Sequence, residues 1–223
     1  MPNGPLSLPA RLYLLAWDTA RREVTGTAHL HHLVRAGALT ELAQRGLLVD
    51  DDGVVTPVDL DSRTGDTVLD GLLELISESR PRRWRTWVTL RARVTLDAVR
   101  EQLVAEGYLR AEKKRVLGVF PSVEHVLDRA GAVEALREEA RVVLEGPGPV
   151  ADVSDRDAAL VALAAAAQLR TVLPARDRAR HKERLERLTE RSGAAAPALR
   201  QVVREVRTAV IAAVTVPAGA ARG

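Results

Sequence analysis

Residues 34–48, which read VRAGALTELAQRGLL, decide the fold that this sequence predicts. Apolar residues recur in them at helical spacing, and Gly46 is the kind of residue that ends a helix. Residues 47–55 then contain two short apolar stretches around an acidic turn, which is typical of a β-hairpin. The sequence therefore predicts a helix over residues 28–45 that leads directly into a hairpin.

The same arrangement returns later in the chain. Residues 102–109, QLVAEGYL, again place a helical stretch and a glycine before an apolar residue pair. A second hairpin is expected here, with the basic cluster at residues 113–115 as its turn and residues 116–120 as its second strand. Because the first turn is acidic and the second basic, only the second hairpin suits contact with phosphate groups.

Helical spacing of apolar residues extends over most of the remaining chain. With six aromatic residues and no cysteine, the core depends on leucine, valine and alanine, which favours packed helices over a β-sandwich. The predicted fold class is mainly α: a compact helical domain over residues 1–216 with one or two short β-hairpins, one of them protruding, and a flexible tail over residues 217–223. Further helices are expected from Leu8 and over residues 68–76, 95–106, 133–144, 154–169, 176–191 and 197–214.

Composition excludes several classes of protein. Hydrophobic residues make up 46% and charged residues 28% of the chain, which is typical of a globular protein and not of a disordered one. The longest apolar run, residues 160–167, falls far short of the roughly 18 residues that cross a bilayer. No charged start precedes an apolar block, so we expect no signal peptide and a cytoplasmic protein.

The chemistry-bearing residues do not indicate an enzyme. His29, His31 and His32 lie close together, but no acidic residue lies among them, so we predict no metal site and no cofactor. Cysteine is absent, which excludes a thiol nucleophile. The sequence also lacks a Gly-x-Ser-x-Gly elbow, a glycine-rich phosphate loop and a His-Glu-x-x-His motif.

Basic residues concentrate in one part of the chain. Residues 81–120 hold ten basic and four acidic side chains, whereas residues 51–80 hold two and eight. Arginine donates paired hydrogen bonds to phosphate oxygens, and each base near an anionic membrane contributes about 1 kcal/mol of attraction. The alternative is that these side chains lie on an ordinary solvated face. The predicted basic field consists of Arg82, Arg83, Arg85, Lys113, Lys114 and Arg115.

Apolar residues follow the second basic cluster. Beside bases, such side chains suit insertion into lipid, which stabilises by roughly 1.5–3 kcal/mol for each one buried. They equally suit contact between copies of the chain, or, for alternate residues of the strand, a place in the core. The candidate membrane-contact or oligomerisation hairpin comprises Val116, Leu117, Val119 and Phe120.

Five segments follow one another along the chain: residues 12–18 (LYLLAWD), 34–48, 64–70 (TGDTVLD), the stretch around Trp87, and 99–109 (VREQLVAEGYL). Together they resemble the Golgi phosphoprotein 3 family, specifically its bacterial branch. The resemblance covers residues 5–215 and implies a largely helical fold with a protruding β-hairpin. It also implies a non-enzymatic, peripheral membrane protein. Eukaryotic members bind phosphatidylinositol 4-phosphate and the tails of Golgi glycosyltransferases, so an anionic phospholipid and a membrane-protein client are the partners that the resemblance suggests.

The resemblance also implies a headgroup site. Two of the family's basic site positions fall on Arg35 and Arg93 of this sequence. The family's site has one further basic position, which falls on Leu96, and a tryptophan position, which falls near Gly26. These two positions therefore depart from the family pattern. The resemblance therefore implies an anion site but not the family's headgroup selectivity. Three candidates for the missing base are Arg91, Arg100 and the cluster at residues 113–115.

Two other functions stay open at this point. A winged-helix nucleic-acid-binding protein would use residues 95–120, but its reading helix carries Asp97, Glu101 and Glu106 beside a single arginine, where recognition helices are basic. A protein-interaction adaptor without lipid binding is the third interpretation. The favoured prediction is a protein on the inner face of the membrane, with an anionic phospholipid as partner and possible self-association through the second hairpin.

Overall fold

The computed structural model describes residues 6–116, 120–195 and 198–215 of the chain. Helices dominate this part of the molecule, which confirms the predicted fold class, and none of the helices within it is both long and apolar enough to span a membrane. The predicted tail, residues 217–223, lies outside the described residues. The helices are α1 (Leu8–Leu15), α2 (Leu30–Gln44), α3 (Thr67–Ser77), α4 (Trp84–Thr89), α5 (Ala92–Ala105), α6 (Ala130–Glu145), α7 (Asp155–Ala166), α8 (Lys182–Ala195) and α9 (Ala198–Thr215).

The strands of the described residues form three small antiparallel sheets. β1 pairs with β2, β3 and β4 form a hairpin with β5 as the third strand, and β6 pairs with β7. Both predicted hairpins are confirmed, whereas β1 and β2 were not predicted because two-residue strands show no alternation. The strands are β1 (Trp17–Asp18), β2 (Glu23–Val24), β3 (Leu48–Asp51), β4 (Val54–Pro57), β5 (Arg82–Arg83), β6 (Leu109–Val116) and β7 (Phe120–Leu127).

The basic cluster of the second hairpin lies in a strand, so its predicted place in the turn is wrong. Lys113 pairs with Val123 and Lys114 with Ser122, and the ladder continues to the pair of Val116 with Phe120. A strand with solvent on both sides needs no apolar alternation, so the sequence pattern did not show that the strand continues through the bases.

One helix begins later than predicted, and another was not predicted. Helix α8 begins at Lys182 and not near residue 176, because a short 3-10 turn at Ala175–Asp177 and further turns precede it. Helix α4 was not predicted, since its six residues are too few to show a helical period. Side chains cap the starts of α3 and α7, since Asp66 and Ser154 each accept a backbone N–H there.

Helix α2 lies at the centre of the core. All of its residues from 33 to 42 are buried, and α1, α4, α5, α7 and α9 pack around it. Gly37 lets α1 approach closely, because a Cβ there would lie 2.6 Å from Leu12 Cδ1 and 3.2 Å from Pro9 Cα. At the start of α1, the backbone N–H of Leu8 donates to Glu41 Oε2 at 2.5 Å.

Two tryptophans anchor the corner between α4 and α5. Trp84 and Trp87 are both fully buried, and α4 packs against α2 and α9. Helix α5 also packs against α2. The corner at Leu90 and Arg91 is therefore held against α2. This packing places the corner beside α2, where the candidate site lies.

Candidate anion-binding site

A buried arginine connects the centre of α2 with the corner between α4 and α5. Arg35 is only 1% exposed, and its Nη2 donates to the carbonyl oxygens of Leu90, at 2.9 Å, and Arg91, at 2.8 Å. Its Nε and Nη1 have no hydrogen-bond partner in the described part of the chain. Burial lowers the pKa of Arg35 to about 10, which still leaves the side chain charged at neutral pH.

The segment held by Arg35 leads into helix α5. Arg91, the residue before the helix, has a φ of 50°, in the left-handed region that residues other than glycine seldom adopt. No side chain caps this helix, and its first turn contains no acidic residue. The N–H groups at the start of α5 therefore present positive partial charge that no side chain neutralises.

Helix α2 begins in the same way, without a side-chain cap or an acidic residue in its first turn. Its first turn contains His31 and His32, whose ring centroids lie 3.9 Å apart. The Nδ1 atom of His32 lies 3.3 Å from the carbonyl oxygen of Val88 and donates to it. The start of α2 is thus joined to the end of α4, next to the corner that Arg35 holds.

Arg93 supplies an exposed positive charge to the same region. It lies in the first turn of α5 and has no hydrogen bond or ion pair within the described residues. Burial and then the neighbouring positive groups, Arg93 among them, lower the pKa of His31 to about 4. Burial and Arg93 also lower the pKa of His32, despite its hydrogen bond to Val88. Both histidines are therefore neutral at pH 7, and protonation would add charge beside Arg93.

The anion-binding site is defined here as Arg35, Arg91, Arg93, His31 and His32. The sequence predicted the three arginines as site residues. In the structure, the guanidinium of Arg35 donates a hydrogen bond to the carbonyl oxygen of Arg91. Their direct contact with a phosphate stays a prediction. From the sequence, the two histidines are considered only as candidate metal ligands. Their position at the start of a helix without a side-chain cap is the feature that indicates a role in anion binding. In the described residues no group of three His, Cys, Asp or Glu side chains is placed to hold a metal ion.

The two positions that depart from the family pattern have structural reasons. Leu96 is 7% exposed and belongs to the apolar core, so a base there would be buried. Gly26 has a φ of 66°, and a Cβ on it would lie 3.1 Å from His29 Nε2 and 3.6 Å from Leu169 Cδ2. His29 Nε2 is held by the carbonyl oxygen of Ala167 at 2.9 Å. These side chains leave no room for an aromatic residue without rearrangement.

The predicted basic field shares no residue with the anion-binding site. Arg82 and Arg83 form the exposed strand β5, and Arg85 is exposed with its Nε 3.9 Å from Glu205 Oε2. Lys113 is exposed, and Lys114 forms an ion pair with Glu124. No hydrogen bond or ion pair within the described residues joins them to the anion-binding site.

The predicted apolar hairpin residues lie outside the side chains that the structure describes. These residues, with the neighbouring base of the cluster, are Arg115, Val116, Leu117, Val119 and Phe120. Membrane contact or oligomerisation through them stays a prediction.

Comparison with protein families gives a match over most of the chain. The family model described as Golgi phosphoprotein 3 (GPP34) matches residues 8–206, which includes every element of the anion-binding site and the β6–β7 hairpin. None of the curated proteins that were compared matches the chain. The resemblance found in the separate segments therefore extends over most of the sequence, and the chain belongs to the Golgi phosphoprotein 3 family.

Proposed function

We propose that this protein is a peripheral membrane protein that binds an anionic phospholipid headgroup, of the phosphatidylinositol 4-phosphate class, at the anion-binding site. Membership of the Golgi phosphoprotein 3 family indicates a non-enzymatic adaptor. The observation that carries the proposal is Arg35. In the described part of the chain, its buried guanidinium has no carboxylate partner, and two of its nitrogen atoms make no hydrogen bond. Its third nitrogen holds the corner next to the exposed Arg93.

The electrostatics of this region favour an anion. The starts of α2 and α5 each contribute about half an elementary positive charge, and N–H groups at helix starts are common phosphate ligands. Arg93 adds a full charge at the surface, and Arg35 adds another from below, where the surrounding protein screens it weakly. No acidic side chain lies in the first turn of either helix to offset these charges.

Attraction to the membrane surface would come from additional bases. Arg82, Arg83 and Lys113 are exposed, and each would contribute about 1 kcal/mol near anionic lipid. Such attraction is reversible, as a peripheral protein requires. The proposal places the protein on the inner face of the membrane, with a membrane-protein client and with self-association through the β6–β7 hairpin as its further partners.

Flotation with liposomes tests the proposal. The protein should float with vesicles of phosphatidylcholine that contain phosphatidylinositol 4-phosphate, and it should stay at the bottom with phosphatidylcholine alone. The double variant Arg35→Ala/Arg93→Ala should lose most of this binding. The matched control Arg82→Ala/Arg83→Ala removes the same charge outside the site and should lose much less.

Two results would refute the proposal. One is equal flotation with both kinds of vesicle. The other is an equal loss for the two double variants, with circular dichroism showing that both are folded, because the basic field alone would then account for binding.

Nothing in the fold or in the comparisons supports the nucleic-acid alternative. Helix α5, which would read the base pairs, buries Leu96, Val99 and Leu103 in the core. Its exposed residues include Asp97 and Glu101, which would repel a phosphate backbone.

A further inference from the structure

A cavity lies between α7, α8 and α9, and none of its lining residues belongs to the anion-binding site. It is an open cleft of about 590 Å³, within the range of about 300–1,000 Å³ that is common for small-ligand sites. Ala162, Ala165 and Ala166 of α7 form its floor, together with Val203 of α9. The cleft is therefore large enough for a ligand and apolar at its base.

Small residues on α7 keep the cleft open. Positions 162, 165 and 166 are three and four residues apart, so their side chains lie on one helix face, and each ends at a single methyl group. Leu173 and Leu185 extend the apolar wall. Ile211 adds a side chain that is 54% exposed. A single apolar track thus runs along α7 between the other two helices.

The α9 side of the opening is positively charged. Arg204 and Arg207 are three residues apart and therefore lie on the same face of α9, and both line the cleft. Both are exposed, and neither side chain has a hydrogen bond or an ion pair with any residue that the structure describes. Two neighbouring arginines that pair with no described residue can together donate hydrogen bonds to an anionic group.

The other sides of the opening have mixed charge. Arg178 donates from Nη2 to the carbonyl oxygen of Gln168 at 3.4 Å, while its buried Nε has no partner in the described part of the chain. On α8, the Nζ atom of Lys182 lies 4.0 Å from Glu186 Oε1, and Glu190 also lines the cleft. The four basic side chains of the rim outnumber its two acidic ones, so the opening has a net positive charge that favours an anionic head.

We propose that this cleft binds a single-chain anionic amphiphile of the long-chain fatty acid class. Its alkyl chain lies along the alanines of α7, and its carboxylate accepts hydrogen bonds from Arg204 and Arg207. One chain suits the single apolar track, and an anionic head suits the net positive charge of the rim. This binding is independent of the headgroup binding proposed above.

Calorimetric titration with dodecanoate, below its micelle concentration, tests the proposal on the full chain. Dodecanoate should bind saturably at one site, and dodecyltrimethylammonium, with the same chain and the opposite charge, should bind much more weakly. Arg207→Glu should weaken dodecanoate binding by about tenfold, since it removes a charge-assisted hydrogen bond. The matched control is Arg170→Glu, which reverses an exposed arginine outside the cleft and should leave the affinity unchanged.

Two further variants test whether the cleft itself holds the alkyl chain. Ala165→Trp fills the apolar track without touching the arginines and should abolish binding, while thermal unfolding reports whether the variant is folded. Arg93→Glu disables the anion-binding site and should leave dodecanoate affinity unchanged, so failure of one proposal is distinguishable from failure of the other. Four results would each overturn the proposal. The first two are that dodecanoate shows no saturable binding, and that the cation binds equally well. The third is an unchanged affinity in a folded Ala165→Trp variant. The fourth is loss of dodecanoate binding in Arg93→Glu while Arg207→Glu and Ala165→Trp keep it.

Discussion

Arg35 places a positive charge within the core of the molecule and next to its surface site. Burial of a charge costs stability, and within the described residues the hydrogen bonds of Arg35 to the carbonyl oxygens of Leu90 and Arg91 offset that cost. Arg35 therefore contributes both to the structure of the corner and to the charge of the candidate site. The stability and the binding of one variant can therefore separate the two roles.

Arg35→Met keeps much of the apolar volume and removes the charge. We expect the free energy of unfolding to change by no more than about 1–2 kcal/mol, because removal of the buried charge is offset by loss of the donor to the carbonyl oxygens of Leu90 and Arg91. Binding to vesicles with phosphatidylinositol 4-phosphate should fall by about tenfold or more. Chemical denaturation and flotation measure the two effects. A variant that is strongly destabilised but still binds would show that Arg35 is only structural.

The two histidines of the site predict a pH dependence. His31 has a pKa of about 4, and the pKa of His32 is also lowered, so a bound anion that raises either pKa takes up a proton. The groups that face them are Arg93, His29 and the carbonyl oxygen of Val88. Sulfate binding should therefore tighten as the pH falls from about 7 to 5, the range in which an ordinary histidine titrates.

Sulfate suits this measurement because its own charge is constant over that range. Titration by tryptophan fluorescence at several pH values gives the affinity, since the site adjoins α4 with Trp84 and Trp87. The double variant His31→Gln/His32→Gln should show a flat profile. An equally steep profile in that variant would assign the titration to other groups.

Stability should change in the opposite direction with pH. A histidine whose folded pKa lies below its unfolded value of 6.5 binds a proton more readily in the unfolded chain. Its contribution to stability is therefore present above about pH 6.5 and is lost as the pH falls towards the folded pKa.

At the scale of elements, the two ends of α2 have different roles. Its first turns carry the anion-binding site, and Glu41 near its other end accepts from the N–H of Leu8 and from Arg45. Glu41 is buried, so an amide in its place would leave one of these donors without its acceptor. The two ends of α2 can thus be tested separately.

Glu41→Gln should lower the free energy of unfolding by about 1–3 kcal/mol, the usual effect of breaking a buried charged hydrogen bond. Sulfate affinity should not change, because Glu41 does not contact the site. Glu138→Gln, a matched change on the exposed face of α6, should have little effect on either quantity. A fall in sulfate affinity equal to that of the Arg35 variant would contradict this separation.

The elements also show what the sequence could reveal. The end of α2 at Gly46 and the cap at Asp66 were predictable, because local chemistry sets them. The length of the β6–β7 hairpin and the existence of α4 were not, because no apolar period marks an exposed ribbon or a six-residue helix. The predicted arginines of the site came from family resemblance, whereas the role of His31 and His32 depends on burial, which only the folded chain defines.

At the scale of the whole molecule, the two proposed anion-binding places share no residue. One is the anion-binding site at the starts of α2 and α5, and the other is the rim of the cleft formed by Arg204 and Arg207. Helix α9 packs against α2 and α4 as well as against α7 and α8, so it contributes to the surroundings of both. Total charge does not reveal this arrangement, because 33 basic residues nearly balance 30 acidic ones.

The most direct measurement is a crystal structure after soaking with selenate, whose anomalous signal locates the anion. We expect a peak at the starts of α2 and α5, within hydrogen-bonding distance of Arg93 and the backbone N–H groups of α5. Soaked crystals that show no peak there, or show it only at Arg82 and Arg83, would contradict the proposed anion-binding site.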